Sequence, residues 1–159
     1  MSQAIEARSE TVSRWVTFQL ENETYGIDVM QIREVLRSTE ISPVPGAPSY
    51  VLGIINLRGN VVAIIDTRSR FGLASREDVD DASRILILEA GDYVVGFLVD
   101  SVSEVAELQN SQIETAPDTG SGDGSRFISG LYNRKEGLLI LVDANKLLSD
   151  DELAELAVI

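Results

Sequence analysis

The chain has 159 residues, 44% of them hydrophobic and 25% charged, a balance that suits one folded domain or two very small ones rather than a disordered chain. Thirteen Lys and Arg against 26 Asp and Glu leave a formal charge of −13, so the surface repels phosphate backbones and anionic headgroups, and neither nucleic acid nor a membrane surface is expected as a partner. With no Cys and no His, disulfides, thiolate nucleophiles, imidazole bases and the usual zinc ligands are excluded, which leaves an enzyme only carboxylates, Lys, Tyr or Ser.

Residues 1 to about 12 are small and polar without a sustained period and read as a flexible tail. From Trp15 the pattern changes: Val16, Phe18 and Leu20 alternate with Thr17, Gln19 and Glu21, the period of a half-buried strand. Glu21-Asn22-Glu23 turns the chain into Tyr25 to Val29, a second strand. Gly53 to Leu57 and Val61 to Ile65 form another hairpin, predicted to turn through the three residues Arg58-Gly59-Asn60. Asp66 is placed to cap a short helix running to Arg70 and ended by Gly72.

The second half repeats the first. A shift of seventy carries Gly26-Ile27-Asp28-Val29 onto Gly96-Phe97-Leu98-Val99, and Ile32, Glu34 and Val35 onto Val102, Glu104 and Val105. A shift of 77 carries Gly53, Asn56 and Asp66 onto Gly130, Asn133 and Asp143. A unit of about 70 residues holds little core of its own, so two related β-subdomains packed together are expected. Ser75 to Ser83, with Glu77, Asp78, Asp80 and Asp81, reads as a solvated connector, and Asp118 to Ser125 as a mobile loop. Ser149 and Glu152 form a capping box ahead of Leu153 and Leu156, which predicts a C-terminal helix. Apolar runs such as Leu138 to Val142 fall far short of the roughly 20 residues that cross a bilayer, so a cytoplasmic protein without membrane insertion is expected.

No motif in the chain brings chemistry with it. The loop Gly120 to Ser125 lacks the Lys of a phosphate-binding loop and the spacing of a calcium loop. The carboxylates that repeat, Asp28 with Asp100 and Asp66 with Asp143, lie before turns, where they are expected to bind backbone amides. Val29, Ile32 and Val35 divide between core and docking face, and Arg58 at a hairpin tip is expected to be largely free of fold duties.

In order and spacing, Trp15-Val16-Thr17-Phe18, Tyr25-Gly26-Ile27-Asp28-Val29, Ile32-Arg33-Glu34-Val35, Val44-Pro45, Gly53 to Gly59 and Val99 to Val105 resemble the CheW family, over about residues 15–148. The resemblance implies a mainly β fold: two packed SH3-like five-stranded β-barrels with short helices and a C-terminal helix. The expected division is a tail at 1–12, a domain at 13–148 with subdomains near 15–74 and 84–148 intertwined at their edges, and a helix at 149–159. It further implies a non-catalytic adaptor with no cofactor and no metal, joining the cytoplasmic tip of methyl-accepting chemoreceptors to the regulatory domain of a CheA-type histidine kinase at membrane-bound receptor arrays. By matching positions, the receptor would meet Val16, Val29, Ile32, Glu34, Arg58 and Val102, and the kinase Ile41, Val44, Gly53 and Leu57. Two other readings are a CheW paralogue of another chemosensory array, such as one for surface motility, and a small carboxylate-dependent hydrolase.

Overall fold

The computed structural model describes residues 12–37, 39–74, 81–115 and 127–157. Residues 1–11 of the expected tail, residues 75–80 of the connector and the loop 118–125 lie outside these. Among the described residues there are eleven strands: β1 (Val12–Leu20), β2 (Glu23–Asp28), β3 (Ile32–Arg37), β4 (Val51–Leu57), β5 (Asn60–Asp66), β6 (Arg84–Ala90), β7 (Tyr93–Val99), β8 (Ser101–Gln109), β9 (Glu114–Thr115), β10 (Ile128–Arg134) and β11 (Gly137–Val142). Three short helices follow β5 and β11: α1 (Thr67–Arg70), α2 (Ala144–Leu147) and α3 (Asp150–Ala157).

The strands form two sheets, ordered β8-β1-β2-β11-β10-β9 and β3-β6-β7-β5-β4. Matching β8, β1, β2, β11 and β10 with β3, β6, β7, β5 and β4 gives one order twice, including the parallel pairs β2–β11 and β5–β7. The two shifts in the sequence are thus real structural equivalences: β2 with β7 under seventy, and β4 with β10 and α1 with α2 under 77. The sheets cut across the sequence halves. The five-stranded sheet is built from residues 32–99 alone, while the six-stranded sheet joins β1 and β2 to the C-terminal strands β8 to β11. The chain therefore crosses between sheets twice, once after β2 and once after β7.

Strands β5, β6 and β11 read as unbroken apolar runs because both of their faces are buried. In β6, Leu86 and Leu88 join the largest apolar cluster, which takes residues from both sheets, whereas Ile85 and Ile87 join a cluster confined to the five-stranded sheet. A third cluster, Leu108, Leu139 and Leu141, belongs to the six-stranded sheet. One core thus fills each barrel and a larger one lies between them. Gly96 permits this packing, since a Cβ there would stand 2.5 Å from the Ile64 Cδ1 of the neighbouring parallel strand.

The β4–β5 connection is shorter than the sequence predicts. Leu57 pairs with Asn60, so Asn60 belongs to β5 and the loop is the two residues Arg58 and Gly59, with φ of 54° and 87°. Positive φ at both positions is the type I′ geometry that matches strand twist.

Candidate docking site

At the first crossover, Asp28 Oδ1 accepts the Met30 amide at 2.9 Å and starts a single 3₁₀ turn over Val29–Gln31. The Gln31 side chain then ties this turn to α2, its Nε2 donating to Asp143 Oδ1 at 2.8 Å and its Oε1 accepting the Ala144 amide at 3.0 Å. Val29 and Ile32 are half-buried, as is Val102 at the start of β8, and all three rest on the core shared by the sheets. Between the first two stands Met30, 84% exposed. Sequence reasoning passed over it; its position just after a capping Asp, inside an apolar series, was the available signal. Val16, expected in the docking groove, is only 6% exposed and belongs to the shared core, because it lies on the inward face of β1. It supports the face from beneath and offers a partner almost no surface.

A second feature joins two expected residues that lie 24 positions apart. Arg58 donates through Nη1 to Glu34 Oε2 at 2.8 Å and through Nη2 to Glu34 Oε1 at 3.1 Å. The tip of the β4–β5 hairpin is thereby bound to β3, so Arg58 is not free of structural contacts as the sequence suggested, although its side chain stays 74% exposed. The turn beneath it is fixed by Asn56, whose Oδ1 accepts the Gly59 amide at 2.8 Å. The pair stands on the rim of an open recess of about 750 Å3 between the hairpin, the β6–β7 turn and α3, with Leu57, Val61, Tyr93 and Val94 in its walls.

Of the residues expected at a kinase contact, Leu57 is half-buried and lines this recess. Ile41 is half-buried against the core of the five-stranded sheet, and Val44 is half-buried in the loop before β4. Gly53 is buried at a bulge, and a Cβ there would come within 2.2 Å of the Ser42 carbonyl oxygen. Ser42 pairs with Ile54 and covers that edge, so Gly53 is needed for close backbone approach and presents no docking surface.

The repeated carboxylates are engaged with amides and arginines. Asp66 caps α1 as expected, accepting the Ser69 amide at 3.4 Å, and Asp143 binds a nearby amide as expected, that of Asn145 at 2.9 Å, where it caps α2, a helix not foreseen in the sequence. Asp100 accepts the Glu21 amide at 2.8 Å and receives the Arg68 guanidinium through both carboxylate oxygens, with both side chains 16% exposed. Arg70 donates to the Leu147 carbonyl at 2.8 Å and to both oxygens of Glu152, while its guanidinium stacks over Tyr50 and Phe127. Glu152 also closes the expected capping box with Ser149. Burial pushes the Glu152 carboxyl up, but hydrogen bonds from the Ser149 amide and Arg70 outweigh it and hold the group below its ordinary value. Among the described residues no set of three or more acidic side chains is gathered for a metal ion, and no helix is long and apolar enough to cross a membrane.

Comparison with known proteins agrees with this layout. The family described as the CheW-like domain matches residues 14–152. The chemotaxis protein CheW of Klebsiella aerogenes is 37% identical, covering 91% of this chain and 87% of that protein. The CheW of Treponema pallidum is 36% identical over 89% of this chain and 85% of its own length, and that of Bacillus subtilis 34% identical over 96% of each. Among solved structures, the scaffolding protein TtCheW of Thermoanaerobacter tengcongensis superimposes with a TM-score of 0.80 at 31% identity, covering 88% of this chain and 94% of that one. Two SH3-like barrels linked by exchanged strands, with a profile that spans nearly the whole chain, place this protein in the CheW family.

Proposed function

We propose that the chain is a non-catalytic scaffold that couples the cytoplasmic tip of a chemoreceptor to a CheA-type histidine kinase, and that it works by binding geometry alone within membrane-bound receptor arrays. Family membership supports the scaffold role. The first crossover, with Val29, Ile32 and Val102 half-buried around it, is the face assigned to the receptor tip. The recess beside it, with Leu57 and Val61, suits the kinase domain better than the covered Gly53 edge does.

The observation that carries this reading is the Glu34–Arg58 pair. It is bidentate and positioned by two strands and a tight turn, yet its guanidinium is largely open to solvent at the rim of the recess. An exposed ion pair adds about 0–1 kcal/mol to stability, whereas a charged contact that becomes desolvated in an interface costs about 2 kcal/mol or more when truncated. Arg58→Ala should therefore leave the unfolding midpoint almost unchanged while lowering receptor-dependent kinase stimulation in a reconstituted complex. Glu34→Ala should lower stimulation in the same direction, and the double variant by less than the two losses combined, because each residue holds the other in place. Full stimulation by Arg58→Ala would remove the basis of this assignment.

A further inference from the structure

We propose that Met30 is an oxidation-sensitive position: hydrogen peroxide converts its thioether to the sulfoxide, and this weakens docking of the receptor tip. The inference rests on the receptor assignment above and adds a chemical control to that face.

The chain has no Cys and two Met, so its reversible oxidation by peroxide is confined to thioether sulfur. Met30 is the Met within the described residues, and at 84% exposure nothing shields its side chain from a small oxidant. Its root is nevertheless fixed. The Met30 amide is bound by Asp28, and the next residue, Gln31, is bound twice to the start of α2. The turn therefore holds a flexible, apolar side chain outward from one place, between half-buried Val29 and Ile32.

A lone exposed apolar residue is ordinary on a protein surface. The repeat gives this one its meaning. The shift of seventy that aligns the two crossovers carries Met30 onto Asp100, and there the side chain is drawn inward by Arg68 and is 16% exposed. Two equivalent turns thus bear opposite side chains, one polar and satisfied within the fold, the other apolar and turned to solvent.

In the step itself, a sulfur lone pair attacks one peroxide oxygen, the S–O bond forms and the O–O bond breaks. The departing hydroxide takes a proton and leaves as water, so sulfur loses two electrons and peroxide gains them. The product puts a strong acceptor oxygen on a flexible side chain that was apolar before. Burying that oxygen without a donor against an apolar partner surface corresponds to roughly tenfold weaker binding. A thiol-dependent methionine sulfoxide reductase reverses the change.

The test measures binding of the full chain to a soluble fragment carrying the receptor's cytoplasmic tip, before and after hydrogen peroxide, with peptide mass mapping of Met30. The wild-type protein is expected to gain one oxygen at Met30, lose roughly tenfold in affinity, and recover after reductase treatment. Whatever affinity untreated Met30→Leu has should not change with peroxide, and Met30→Gln should bind like the oxidised protein. Unaltered binding by wild type that mapping shows to be oxidised at Met30, or equal losses in Met30→Leu, would overturn the proposal. If untreated wild type fails to bind the tip at all, the receptor assignment falls and the control falls with it, a result distinct from oxidation without effect.

Discussion

Where the chain leaves β7 it hides its polar groups, and where it leaves β2, at the equivalent point of the repeat, it displays an apolar one. The turn after β7 is sealed by α1: Arg68 grips Asp100 and reaches Glu21 in the β1–β2 turn at 3.6 Å. The turn after β2 is pinned by α2 through the side-chain amide of Gln31, which donates to the Asp143 carboxylate and accepts the Ala144 amide, while Asn145 accepts the Gly91 amide of the β6–β7 turn. Each small helix thus secures a hairpin turn of the opposite sheet, through an arginine in one case and side-chain amides in the other. One duplicated unit has yielded a closed crossover and an open one, and the open one turns the more exposed apolar side chain, Met30, to solvent.

If the ion pair is the seal, removing it should have the largest effect. Arg68→Ala leaves Asp100 with a charge in a mostly buried site, and a loss of about 3 kcal/mol is expected by denaturant unfolding. A loss under about 1 kcal/mol would show that the closed crossover is held by other means. Gln31→Ala removes two hydrogen bonds at the open crossover but breaks no ion pair, and should cost less, about 1–2 kcal/mol. A cost above that of Arg68→Ala would invert the comparison.

The smallest effect concerns a further asymmetry, since α1 carries Arg70 as well and the equivalent residue of α2 is the apolar Leu147. Arg70 fastens α3 through Glu152, whose folded pKa lies below its unfolded one. That contribution is present above the unfolded carboxylate value of about 4.3 and is lost as pH falls through the folded value. Glu152→Gln should therefore be less stable than wild type by about 1 kcal/mol at neutral pH, and the gap should close in acid. A gap that persists unchanged at low pH would mean that the carboxylate charge contributes nothing.

Much of the local structure was legible because its causes are local. Asp28, Asp66 and Ser149 with Glu152 make their caps within three residues in the chain, so residue type and spacing sufficed. The repeat was visible because glycines and aspartates mark fixed points of each unit. What escaped notice depends on chain separation. Arg58 meets Glu34 across 24 residues, Arg68 meets Asp100 across 32, and Arg70 meets Glu152 across 82, and no periodicity encodes such pairs. Val16 was put at the docking groove by the resemblance and not by its period, which groups it with Phe18 and Leu20 on the covered face, and Asn60 was taken into the turn because three turn-forming residues in a row do not reveal which two turn.

The strand exchange also has a consequence in time. The five-stranded sheet needs only residues 32–99, so it is available while the chain is still being synthesised, whereas the β1–β2 hairpin emerges first and finds its neighbours last. At about 5–20 residues per second the ribosome takes on the order of 4–15 s to add residues 29–100 before β8 begins. During that interval the hairpin's apolar face, with Phe18, Leu20 and Ile27, has no six-stranded sheet to join. A lone two-stranded hairpin is marginal in water, so the nascent chain carries a sticky hairpin until β8 to β11 arrive.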